Sequence, residues 1–195
     1  MTYLEFKQNL FDFGVFSTND IQRRFPEFDR RRLTEWQDKN YIVNIRNKWY
    51  CFPEYLNNDK FLWLIANKIH SPSYISLETA LSWYQIIPEG VFSSTSITTN
   101  KPRQYNTVYG GFYYNSVKPK LFFGYKLYSL NSETRINHTF SPQVRIAEME
   151  KAILDFFYIN TQYNREKEIM DLRFNTNVVH DELSKSKLYE YLEQF

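Results

Sequence analysis

A single cysteine and three histidines in 195 residues exclude several kinds of protein at once. Cys51 on its own cannot build an intramolecular disulfide framework, and no Cys/His cluster has the spacing of a zinc site, so the chain needs no metal to fold. His70, His138 and His180 are scattered, with no His-x-x-x-His pair and no Gly-x-Ser-x-Gly elbow. With only five glycines there is no Gly-x-Gly-x-x-Gly and no P-loop, which removes the usual phosphate-cradling loops. The N-terminus lacks the charged-then-apolar order of a signal peptide, and no apolar run is long enough to span a bilayer. The expectation is a cytoplasmic protein with no membrane partner, no cofactor and no metal. The Glu-x-Lys pattern at Glu5-Phe6-Lys7 has no carboxylate partner close in sequence, and Glu148, Glu150 and Asp155 read as helical ion-pair residues before they read as metal ligands.

Aromatic residues are abundant, at 19%, and hydrophobic residues make up 43%, ample for a packed core. The net charge of +2 is small, but residues 1–53 carry nine Lys/Arg against seven Asp/Glu, whereas residues 54–195 carry fifteen of each. The whole excess therefore lies in the first quarter, where such asymmetry attracts phosphate.

That quarter reads as three short helices and a hairpin. Leu4, Lys7, Leu10 and Phe11 predict a first helix ending near Gly14. Ser17 caps a second, with Asp20 in its first turn and Pro26 after it. Asp29 caps a third over residues 30–39, closed by Asn40, and residues 41–52 form two β-rich runs around Asn47-Lys48. This is the order of a winged helix-turn-helix, in which the third helix enters the major groove and the wing touches backbone or minor groove. Leu33 and Trp36 face the core, so Arg31, Thr34, Glu35 and Asp38 point outward. Arg31 is the candidate for reading a base edge, because a guanidinium bonds guanine at two points. Arg30, Arg32, Arg46 and Lys48 suit phosphates, with Arg23 and Arg24 as weaker candidates. Glu35 and Asp38 repel phosphate, which keeps a protein-interaction module open as the alternative.

A polar, proline-led stretch at residues 53–59 marks a boundary between domains at 1–53 and 60–195. Residues 61–70 and 73–89 predict an antiparallel pair of helices. In the second, Leu77, Ala80, Leu81 and Tyr84 form the apolar face, Ser76 is the N-cap and Pro88 the stop. Four β-rich runs follow at residues 91–99, 104–108, 111–117 and 121–130, predicting an antiparallel sheet. Tyr105, Tyr109, Tyr113, Tyr114, Tyr125 and Tyr128 crowd it. They suit either a half-buried sheet or stacking platforms for nucleic acid, the latter favouring an enzyme acting on nucleic acid or nucleotides. Residues 145–158 predict another core helix, with Lys151 and Asp155 as an i,i+4 pair, and residues 166–174 and 183–195 are amphipathic. The fold class expected is α+β: a winged helix-turn-helix followed by an antiparallel sheet packed against helices.

Four separated blocks carry a resemblance. Residues 73–89 (SYISLETALSWYQIIPE), 95–99 (TSITT), 121–125 (LFFGY) and 147–155 (AEMEKAILD) closely resemble the AbiEi family of antitoxins from bacterial type IV toxin-antitoxin and abortive-infection systems. The resemblance implies a non-catalytic protein whose N-terminal module binds inverted repeats in its own promoter and represses the operon. It also implies a C-terminal domain that counters a nucleotidyltransferase-like toxin encoded alongside, without requiring a stable complex with it. One departure touches the wing: Arg46-Asn-Lys-Trp-Tyr50 lacks the glycine usual there, leaving Asn47 to supply the left-handed turn.

Overall fold

The computed structural model describes residues 1–58, 60–130 and 142–195. Asp59, the end of the expected linker, and His138 lie outside the described residues. The class is α+β, with a three-stranded sheet near the N-terminus and a six-stranded sheet beyond it.

Helix α1 (Tyr3–Leu10) opens with a reciprocal Thr2/Glu5 capping box and runs into a 3₁₀ turn at Phe11–Phe13. Gly14 reverses the chain at φ +64°, and a Cβ there would lie 2.7 Å from Leu64 Cδ2 and 3.1 Å from Pro142 Cγ. Both the backbone angle and the close approach therefore demand glycine. Strand β1 (Val15–Ser17) leads into α2 (Thr18–Arg24), where Ser17 and Asp20 form a second capping box. Helix α3 (Arg31–Asp38) follows, then β2 (Val43–Arg46) and β3 (Trp49–Cys51). The sheet order is β1-β3-β2, antiparallel throughout. Periodicity could not register β1, which is three residues long. Phe6, Phe16, Phe28, Trp36 and Phe52 pack ring on ring beneath these helices.

A 3₁₀ turn (Pro53–Asn57) places Tyr55 against Phe61, and its hydroxyl donates to the Phe11 carbonyl (2.9 Å). Hydrophobic packing thus continues across the expected boundary into α4 (Phe61–Ile69). That helix lies across strands of the larger sheet and reaches β1 of the smaller one.

The segment expected as one helix over residues 73–89 divides. Ser73–Ile75 forms strand β4 and only Leu77–Trp83 is helical (α5). Strand β4 separates α4 from α5, which touch through Trp63 and Trp83, while α5 packs mainly on α6 (Met149–Ile159) and β5 (Ser94–Thr98). The same split occurs at residues 145–158, where Gln143–Ala147 is strand β9 and α6 starts at Met149. In both places an apolar run before a helix satisfies either period, and pairing with distant strands, β4 with β5 and β9 and β9 with β8, decides for strand.

The expected antiparallel sheet is instead mixed. With β6 (Arg103–Thr107), β7 (Gly110–Ser116) and β8 (Tyr125–Ser129), its order is β6-β7-β5-β4-β9-β8. Pairs β4/β5, β6/β7 and β8/β9 are antiparallel, whereas β5/β7 and β4/β9 run parallel. Chain order suggests hairpins, but β6 docks outside β7, which lets β7 join β5 in the parallel sense. Of the six tyrosines, Tyr114 is buried and the others are half-buried, as a covered sheet requires. Helices α7 (Glu166–Met170), α8 (Thr176–Glu182) and α9 (Lys185–Leu192) close the chain. No helix among the described residues is long and apolar enough to cross a membrane.

Inside this second half lies a fully buried polar cluster. Lys151 and Asp155, one turn apart on α6 and both without exposure, form an ion pair. Asp155 also accepts from the Tyr74 hydroxyl (3.0 Å) and from Ser76 Oγ (2.8 Å), while Lys151 Nζ donates to Tyr74 (2.9 Å). Ser76 occupies the N-cap position of α5, yet its hydroxyl turns to Asp155 rather than to the helix end. Burial pushes the Asp155 carboxyl up and the Lys151 ammonium down, and each partner opposes the shift in the other.

Candidate nucleic-acid interface

Helix α3 buries Leu33 and Trp36 and leaves Arg30, Arg31, Thr34, Glu35 and Asp38 exposed, the division that its apolar spacing predicts. Arg30 stands at the N-cap position without a side-chain cap. Asp29 Oδ1 accepts from the Arg31 backbone N–H (3.0 Å) and so does part of the capping. The Arg31 side chain is 92% exposed and folds back on the same carboxylate, with Nη2 to Oδ2 at 3.0 Å. Asp29 is held below the ordinary carboxylate range by that bond, and Arg31 correspondingly above its own. An exposed pair of this kind is screened by water and contributes little, so exchanging Asp29 for an outside acceptor costs little. Further along, Glu35 pairs with Lys39 (2.7 Å) across one turn.

Arg23, Arg30 and Lys48 carry no side-chain hydrogen bond or ion pair among the described residues, and all three are exposed. Lys48 forms the β2–β3 turn at φ 66°, so the left-handed position falls on it rather than on Asn47. Its carbonyl accepts from the Thr18 N–H (3.0 Å), which ties the turn to the start of α2. The remaining candidates are engaged inside the molecule. Arg24 forks onto Asn9 Oδ1 at 2.8 and 3.0 Å, and Arg32 donates to the Met1 carbonyl. Arg46 Cζ lies over the Tyr105 ring, 3.8 Å from its centroid.

The Arg46 contact brings together residues that the sequence keeps far apart. Tyr105 and Arg103 alternate on one face of edge strand β6, and His70 packs on Tyr105 and Tyr114. Burial lowers the His70 pKa. A bond to the Lys101 carbonyl (3.2 Å) opposes this, and the charges of Arg103 and Arg46 add to it. Arg103 and His70 were not site candidates from sequence, since Arg103 falls between the β-rich runs at residues 91–99 and 104–108. Its membership of the group depends on the register between strands β6 and β7, which composition does not encode.

No family model and no curated relative matches this chain.

The chemistry open to this surface is electrostatic. Among the described residues no group of three or more His, Cys, Asp and Glu could hold a metal ion. Burial pushes the Cys51 thiol up to about 12, so at neutral pH it is no nucleophile. Glu5 sits in its capping box and Lys7 pairs with Glu54, which uses both ends of the Glu-x-Lys pattern structurally. What α3 and the β2–β3 turn offer is a set of unpaired or loosely paired donors on an exposed surface.

Proposed function

We propose that residues 1–53 are a winged helix-turn-helix that binds double-stranded DNA. The whole chain would then act as a non-catalytic autorepressor and antitoxin of the kind that the AbiEi resemblance implies. The observation that carries the reading is the exposure of Arg30, Arg31 and Thr34 on the third helix of an α1-β1-α2-α3-β2-β3 unit, with Lys48 at the adjoining turn. A helix so placed fits the major groove, and the turn reaches phosphate. On this reading Arg31 leaves Asp29 for a guanine edge, while Arg23, Arg30 and Lys48 meet phosphates. Arg24, Arg32 and Arg46 contribute after exchanging their internal partners. Residues 60–195 form the antitoxin domain, whose functional partner is a nucleotidyltransferase-like toxin.

The test is binding to the chain's own promoter, scored on inverted repeats against scrambled duplex. Arg31→Ala should cost about 1–3 kcal/mol on the specific site and little on scrambled DNA. Lys48→Ala should weaken both alike and lower the salt slope by about one. Unchanged affinity in both variants would sink the assignment. Asp29, Glu35 and Asp38 beside the same arginines favour a second reading, a protein-interaction module. It would gain if no duplex binds at moderate salt. Co-expression with the neighbouring gene, scored for rescue of growth, tests the antitoxin half.

A further inference from the structure

Between the first 3₁₀ turn, α4 and strands β8 and β9 lies a cleft of about 580 Å³, within the size range of small-ligand sites. Phe13, Leu64, Leu127 and Pro142 line it with apolar surface, and Asn67, Lys68 and Arg145 bring polar groups to it. It is separate from the α3 surface.

Three features point to an anionic occupant. Lys68 and Arg145 are close enough for the charge of one to act on the other, and neither side chain has an ion pair among the described residues. Lys68 is half-buried, and its Nζ stands 6.0 Å from the Phe13 ring centroid. Burial pushes the Lys68 ammonium down, Asp20 opposes this, and Arg145 adds to it. Asp20 is occupied, accepting from Ser17 N and Oγ at 2.8 and 2.7 Å. Lys68 and Arg145 give this wall a positive charge that an anion balances. At the floor, Asn67 is 5% exposed. Its Oδ1 accepts from the Arg145 N–H (2.6 Å), which fixes the amide's orientation, and its Nδ2 finds no acceptor. Asp12 is the one carboxylate among the lining residues.

We propose that this cleft binds a nucleoside monophosphate, with the phosphate between Lys68 and Arg145 and the base against Phe13 and Leu127. A phosphate monoester supplies negative charge and the paired oxygens that a guanidinium grips. The aromatic and aliphatic walls supply a face for a planar ring. The cleft shares no lining residue with α3, which separates this site from the α3 surface.

Calorimetry on the full chain with AMP, GMP, CMP and UMP tests the assignment, with adenosine and inorganic phosphate as controls. At least one monophosphate should bind, and adenosine should not. Lys68→Gln and Arg145→Gln should each weaken that binding about tenfold, the worth of a charge-assisted hydrogen bond. Leu127→Glu adds a carboxylate at the exposed rim of the cleft without disturbing the core, and it should abolish binding while leaving the thermal midpoint unchanged. Phe13→Ala should weaken the nucleotide more than inorganic phosphate. The proposal fails if no monophosphate binds, if inorganic phosphate binds as tightly as the nucleotide, if Leu127→Glu binds normally, or if promoter duplex displaces the nucleotide competitively.

Discussion

Helices α3 and α6 handle charge in opposite ways. On α3 every charged residue is exposed or half-buried, and the pairs it makes, Arg31 with Asp29 and Lys39 with Glu35, are open to water. On α6, Lys151 and Asp155 have no exposure at all and are tied to Tyr74 and Ser76. Exposed pairs rearrange at small cost, whereas an isolated buried charge costs several kcal/mol. Charge on α3 is thus available to an outside partner, and charge on α6 is committed to fixing α5, β4 and α6 against one another.

The sharpest way to break this contrast is Lys151→Met. It leaves Asp155 buried without its cation and should cost about 3–5 kcal/mol in urea denaturation. Lys151→Met with Asp155→Leu should recover the part of that loss that belongs to the orphaned charge, while the buried Tyr74 and Ser76 hydroxyls lose their acceptor. A loss below about 1 kcal/mol in the single variant would show that α6 behaves like α3.

Next in size is Glu148, at the N-cap position of α6. Burial opposes its ionisation, but Lys126 (2.7 Å), Lys187 (2.6 Å) and the Tyr191 hydroxyl outweigh burial and hold the carboxyl at about 2. A depressed carboxyl stabilises the fold above its unfolded value near 4.3, and that stability drains as pH falls toward 2. Because Lys187 and Tyr191 belong to α9, acidification through this window should loosen the C-terminal helix first, read as lost amide protection over residues 185–192. Glu148→Gln should cost about 1.5–3 kcal/mol at neutral pH and remove the acid dependence. Arg31→Ala follows, at about 1–3 kcal/mol on specific DNA and close to none on stability. Smallest is Tyr105→Leu, which removes the ring under Arg46 and should cost about 0.5–1 kcal/mol of stability. If it also raises DNA affinity, Arg46 is a donor held in reserve by the sheet.

The same contrast explains what could be read from sequence. The exposed and buried sides of α3 follow from Leu33 and Trp36 three residues apart, and both N-terminal capping boxes rest on residues three apart. These are local relations. The Lys151–Asp155 pair was legible for the same reason, one turn of helix, but its partners Tyr74 and Ser76 were not, since they come from a segment that reads as helix until it pairs with β5 and β9. The parallel β5/β7 pairing and the Arg46–Tyr105 contact depend on distant residues meeting, and so does the cleft at Lys68 and Arg145. Periodicity is blind to all three.

The order of the large sheet also sets a timetable. Strand β4 lies between β5 and β9, so its second neighbour is synthesised only with residues 143–147, long after β4 itself. The small sheet is complete at Cys51. On the ribosome the N-terminal unit can therefore close while the larger sheet still waits for its last strands. Until β9 and α6 arrive, β4 holds an open edge, and Tyr74 and Ser76 lack the carboxylate that they share in the finished protein.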